Sequence, residues 1–444
     1  MRKMTLLLPF LCCGLGAAAD GELRFSVNDA GAPDGKAPLV NPWRVVALDP
    51  RYGGQWVVAG DLDRDGSPEI VAARNVNVGD VHYTSAVSVH SLDGQTLWRW
   101  GDPEVGRRTW HHDVACQIHD WHNSGQPNVI VCDEGAVVEL NGRTGEEERR
   151  IPIAKEATDC LVFCDLSGTG QPTDFLVKDR YDQVWAYSRE GEELWTVRHP
   201  GGHRTAHQPV PMDIDGDGRD EVLAGYALLN ADGSVRWTVA PARIDLGRGH
   251  MDCARVLERG ARPEDWRIAM TFCGANAIAV IDGTGKVLWE VTGRHFESVN
   301  VGRLVPDIPG PQLIVDIDHQ PEGQSPIWAL DQSGNQIGEL VTAYSRHHKL
   351  LDWTGDGIDE MVVARSRGIY DGQGKKLAEL GVPDTVAKAA GTAEISVFTG
   401  DMDGDAVPDI LLVFPTHAVV YRNESGTEPV GGAPLGTGMN VTLY

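Results

Sequence analysis

Met212 to Gly225 read MDIDGDGRDEVLAG, and the architecture of the chain follows from finding that stretch again. Asp213, Asp215 and Asp217 alternate, Glu221 takes the ninth position, Gly218 sits where the loop must turn, and an apolar run follows. Five more segments repeat the plan: GDLDRDGSPEIVAA from Gly60, HDWHNSGQPNVIVC from His119, CDLSGTGQPTDFLV from Cys164, LDWTGDGIDEMVVA from Leu351 and GDMDGDAVPDILLV from Gly400. Degenerate copies start at Arg255 (RVLERGARPEDWRIAM) and Gly302 (GRLVPDIPGPQLIV). The leading residues Asp61, Asp120, Asp165, Asp213, Asp352 and Asp401 stand roughly 45 to 60 residues apart, the degenerate copies filling the one long gap. That period is the length of a four-stranded propeller blade.

A second marker keeps the same beat. SLDGQTLWRW, SREGEELWTV, NADGSVRWTV and IDGTGKVLWEV each place a glycine turn between short apolar-alternating runs, the mark of a β-hairpin. NGRTGEEERR, LDQSGNQIGEL and YDGQGKKLAEL are weaker versions. No stretch sustains a helical period. The expected fold is all-β: an eight-bladed β-propeller over 46–444, with seven blades as the alternative.

The acidic loops point to calcium, a hard cation that takes six to eight oxygen ligands. Asp61, Asp63, Asp65 and Glu69 occupy positions one, three, five and nine, as do Asp213, Asp215, Asp217 and Glu221. Asp401, Asp403, Asp405 and Asp409 repeat the spacing without the glycine, and a fourth loop offers Asp352, Thr354, Asp356 and Glu360. Alternate residues of an extended loop point the same way, so their oxygens converge and repel without a cation. The Asp120 loop carries His122 and Ser124 instead, and the Asp165 loop Ser167 and Thr169, and there hydrogen bonds are expected to replace the ion.

Arg2 and Lys3, an apolar run from Leu6 to Leu11 and Ala17–Ala19 read as a signal peptide over 1–19, followed by an N-terminal extension over 20–45. The protein is expected to be secreted or periplasmic, and no later segment has the roughly 20 apolar residues of a membrane span. A net charge of −25 argues against nucleic acid, whose phosphates need a basic footprint. Beyond the signal peptide lie Cys116, Cys132, Cys160, Cys164, Cys253 and Cys273. Export favours disulfides, and the offsets of Cys116 and Cys132 from the Asp120 loop predict a bridge within one blade, with Cys253–Cys273 next.

Chemistry is expected at the channel mouth, where the segments preceding each innermost strand converge. His111, His112, His203, His207, His250, His295, His347 and His348 lie in those segments, with Arg204, Tyr344, Arg346, Glu297 and Glu394. Imidazoles suit proton transfer near neutral pH, and guanidinium suits a carboxylate ligand. Among these, His112, Arg204, His207, His250, His295, Tyr344 and Arg346 are the catalytic candidates, expected to share one depression.

HRTAHQPVPMDIDGDGRDEVLAGYALLNADGSVRW, from His203, and GRGHMDCARV, from Gly247, resemble the core of family-11 rhamnogalacturonan lyases. The matching features are His207, the loop from Asp213 to Glu221, the hairpin Asp232 to Trp237, and Gly249-His250-Met251-Asp252. The repeats also resemble calcium-loop propellers of the FG-GAP/VCBS type, and ulvan lyases are a looser likeness. The resemblance implies an eight-bladed, calcium-dependent propeller that cleaves an acidic polysaccharide by β-elimination. In that reading His207 or His112 is the base, Arg204 or Arg346 neutralises the carboxylate, or bound calcium does, and Tyr344 or His250 is the acid. The alternative is a non-catalytic propeller that binds glycans or proteins through calcium.

Overall fold

Each motif's apolar run is a strand buried on both faces, because its sheet stacks between two others. The computed structural model describes residues 23–29, 35–52, 56–106, 116–320, 324–344, 346–429 and 433–437. Eight antiparallel sheets form the ring, as the repeat predicts. Their innermost strands are Val57–Gly60, Cys116–His119, Cys160–Cys164, Thr205–Met212, His250–Glu258, Phe296–Gly302, His348–Leu351 and Ser396–Gly400, here blades 1 to 8. In every blade the acidic loop or its degenerate copy joins the innermost strand to the second.

The chain closes the ring with its own beginning. Arg44–Ala47 runs antiparallel to His417–Tyr421 and supplies the outermost strand of blade 8. Upstream, Phe25–Asn28 and Leu39–Val40 lie parallel to the outermost strands of blades 6 and 7, covering edges that would otherwise be open. Asp401 bridges to Leu435, and the Ala59 N–H donates to Thr437 Oγ1 at 2.9 Å, so the far end of the chain clasps blades 8 and 1.

The tryptophans of the hairpin marker stitch neighbouring blades. Trp98, Trp195, Trp237 and Trp289 stand on outermost strands and donate Nε1–H to Gly142, Ala231, Gly283 and Gln332 carbonyls of the next blade, at 2.9, 2.9, 3.0 and 2.7 Å. Their rings lie against Gly145, Gly233, Gly285 and Gly334, where an added Cβ would come within 2.4–2.7 Å of a ring atom. The glycine of each hairpin therefore makes room for the preceding blade's indole.

Two expectations need correction. All six described cysteines are free. Blade 2 pairs His119 with Asn128, so Cys116 faces Val131, and Cys132, one residue on, turns to the other side of the sheet. In blade 5 it is His250, not Cys253, that pairs with Cys273. A short helix also occurs, Asp384–Ala390, seating Val386 and Ala390 in the seam between blades 7 and 8. Among the described residues no helix is long and apolar enough to cross a membrane.

Candidate functional site

The two ends of the innermost strands carry different chemistry. At their exits the acidic loops share one backbone form. The residue five places after the leading aspartate has positive φ in all six clear copies: Gly66 88°, Gly125 76°, Gly170 77°, Gly218 85°, Gly357 79° and Ala406 67°. Each donates its N–H to that aspartate's Oδ2, at 2.6–3.0 Å. Position nine caps the loop as well, with Glu69 accepting from the Leu62 N–H at 2.8 Å and Glu360 from Trp353 at 2.8 Å. The acceptors of Asp61, Asp63 and Glu69 fall within 4.8 Å of one another, as do those of Asp213, Asp215 and Glu221. Burial, reinforced by the neighbouring aspartates, pushes Glu69 up to about 7; burial does the same to Glu360, and carries Asp409 to about 6. These oxygen-only sets fit calcium. In the Asp120 and Asp165 loops the Ser124 and Thr169 hydroxyls bond the leading carboxylate, at 3.2 and 3.3 Å.

At the strand entrances a polar ribbon crosses blades 4 to 8. His207, from the bulged strand of blade 4, and His250, opening blade 5, place their Nε2 atoms 3.0 Å apart. Both face Asp252 Oδ1, at 3.3 and 3.0 Å. Burial disfavours the charged ring and holds His250 below its ordinary pKa, Asp252 offsetting part of the effect. Burial raises the Asp252 carboxyl, but the two imidazoles pull it down further, and it stays below its ordinary value. Donor atoms of Asp252, Cys273 and His295 again lie within 4.8 Å of one another. His295 then meets Glu297 at 2.9 Å, a bond that raises its pKa, and Arg346 spans Glu297 and Asp318 at 2.8 and 2.9 Å. Further round, Tyr344 donates to Glu394 at 3.0 Å, and His347 bonds the same carboxylate.

Of the catalytic candidates, His207, His250, His295 and Arg346 thus form one chain of contacts, with Tyr344 beside Arg346. Arg204 is exposed and stands over the Tyr181 ring, 5.4 Å from its centroid, while that ring lies 4.3 Å from His250. His112 lies outside the described residues, as does the expected signal peptide over 1–19. Arg346 and Tyr344 are each bonded to internal carboxylates. Sequence reasoning missed Tyr181, Cys273, Asp318 and His319. All four lie at or beyond the end of a second strand, and such turns reach the same rim as the segments entering the innermost strands. His207 and Asp213 are six residues apart along the strand, about 20 Å if extended. Calcium held in the loops would therefore lie at the opposite end of the innermost strand from the rim.

No protein-family model matches the chain, the FG-GAP/VCBS type included. Rhamnogalacturonan exolyase YesX of Bacillus subtilis (strain 168) is 24% identical over 404 residues, covering 78% of this chain and 61% of the relative. The chain thus spans about three fifths of that protein's length. Among solved structures, the rhamnogalacturonan lyase YesW superposes with a TM-score of 0.61 at 18% identity, over 87% of this chain and 77% of YesW. The V. cholerae biofilm matrix protein Bap1 superposes with a TM-score of 0.57 at 12% identity, over 90% and 93%. These likenesses place the chain's fold among theirs.

Proposed function

We propose that this chain is an exported, calcium-dependent polysaccharide lyase that cleaves a uronate-containing glycan by β-elimination at the strand-entrance rim. The observation that carries the reading is the His207–His250–Asp252 triangle beside Arg204 and Tyr181. β-Elimination removes the proton α to the uronate carboxylate, forms the C4–C5 double bond and expels the glycosidic oxygen, which must be protonated. A buried imidazole held neutral is a competent base, and Asp252 stabilises the imidazolium once the proton arrives. Arg204, exposed, takes the substrate carboxylate, which lowers the barrier to the carbanion-like transition state. The Tyr181 ring contacts both and its hydroxyl is assigned the leaving oxygen. The relative YesX, by its name a rhamnogalacturonan exolyase, supports the same substrate class.

Calcium in the opposite loops then serves stability, holding the blades without touching substrate. The test is incubation with a panel of uronate polysaccharides while following the ultraviolet absorbance of an unsaturated product. Product from at least one, lost in Arg204→Ala through a fall in kcat as well as a rise in KM, supports the reading. Binding to glycans or proteins without product from any of them returns the chain to the non-catalytic propeller.

A further inference from the structure

The acidic loops share one backbone, yet what stands over their carboxylates differs between blades. In blade 4 Arg236, on the outermost strand, places Nη1 2.8 Å from Asp215 Oδ2 and 2.9 Å from Glu221 Oε1. In blade 8 Arg422, just beyond the third strand, bonds Asp403 through Nε. Among the described residues no lysine or arginine is ion-paired to Asp61, Asp63, Asp65 or Glu69, nor to Asp352, Asp356 or Glu360.

Strand register explains the contrast. Val235 pairs with Leu229 just past the hairpin bulge, and Arg236 follows it. The same step in blade 1 is Thr96 opposite His90, followed by Leu97; in blade 7 it is Lys376 opposite Tyr370, followed by Leu377. Leucine therefore stands where blade 4 has arginine. Beside Leu97 a cavity of about 470 Å³ opens onto Asp63 and Glu69. Arg143 of blade 2 also lines it, but its Nη2 donates to the Asp63 carbonyl at 2.7 Å, not to a carboxylate.

We propose that Arg236 and Arg422 are built-in counter-ions, so that calcium fills the blade 1 and blade 7 loops first and enters those of blades 4 and 8 only by displacing a guanidinium. The inference rests on reading the loops as calcium sites. A dication and a guanidinium cannot share the same two carboxylates without like-charge repulsion, so calcium must break the ion pair before it binds. For a partly exposed pair that lowers affinity by roughly tenfold. The chain then holds tight sites for structure and weak ones that respond to calcium concentration.

The experiment is calorimetric titration of calcium into the full chain stripped with chelator, comparing variants so that sites elsewhere cancel. Arg236→Gln and Arg422→Gln should each convert one weak site to a tight one, a gain of about tenfold. The reciprocal Leu97→Arg should weaken one tight site by the same factor, which guards against a glutamine variant that fails to fold. Asp63→Asn should abolish a tight site. Arginine variants whose isotherms superpose on the parent, while Asp63→Asn loses a site, would overturn the counter-ion assignment and leave the calcium loops standing. Identical isotherms for the parent and Asp63→Asn would overturn both.

Discussion

Replacing Trp98 by alanine removes the stitch between blades 1 and 2 and should cost the protein about 4 kcal/mol. The figure follows from what the side chain does. Trp98 is only 8% exposed, and burying an indole removes about 200 Å² from water, roughly 5 kcal/mol at 25 cal/mol per Å². Residual burial in the unfolded chain takes back about a quarter of that. The lost bond to the Gly142 carbonyl adds about 1 kcal/mol, and partial collapse of the hairpin returns a similar amount. For 444 residues the unfolding entropy is about 0.9 kcal/mol per degree, so the melting temperature should fall by about 4 °C. Trp98→Phe, which keeps a ring against Gly145 but loses the donor, should cost about 1–2 kcal/mol. Scanning calorimetry of both variants in excess calcium makes the comparison. A Trp98→Ala protein melting within about 1 °C of the parent would refute the idea that the hairpin marker joins blades.

Chelator should lower the melting temperature, with recovery in calcium and not in magnesium; an unchanged melt would mean that the loops stand as empty turns. In chelator, stability should also fall as pH rises from about 4.5 to 7, because Glu69 and Glu360 bind protons more tightly folded than unfolded. With screening in an open loop this amounts to about 1.5 kcal/mol per group, and calcium should flatten the slope. Ala406→Gly should stabilise by about 1 kcal/mol in denaturant titration, since alanine there holds φ at 67°; a loss of stability would contradict the assigned turn. All six described thiols should alkylate in denatured, unreduced protein, and protection of Cys116 together with Cys132 would restore the disulfide.

The fold was legible because its strongest signal is chemical as well as periodic. A leading aspartate that caps its own turn is required wherever the turn recurs, so Asp61, Asp120 and Asp401 survive with quite different neighbours. Blade 5 lacks that aspartate and was still placed, through the spacing and the hairpin before Trp289. Finer geometry was less accessible. The Cys116–Cys132 pairing failed by one residue of register, and nothing in the local sequence distinguishes Val131 from Cys132 as the partner. His207 sits within a bulge between Thr205 and Val210, where alternation no longer says which way a side chain points. Its meeting with His250 was expected from equivalent positions in adjacent blades. Asp252 lay inside the GHMD segment, but only three dimensions show it joining the two imidazoles. Tyr181 and Asp318 stand in turns beyond second strands, away from the histidine-rich segments that enter the innermost strands at the same rim.

The central claim is that the His207–His250 pair, steadied by Asp252, takes the substrate proton. It is tested most directly by single-turnover product formation in His250→Ala and Asp252→Asn, on whichever uronate polysaccharide the parent cleaves, with glycan affinity measured in parallel. Loss of the base should cut the chemical step by about 10²–10⁴ while affinity changes little, and Asp252→Asn should fall between that variant and the parent. Unsaturated product released by His250→Ala within twofold of the parent's rate would contradict the account.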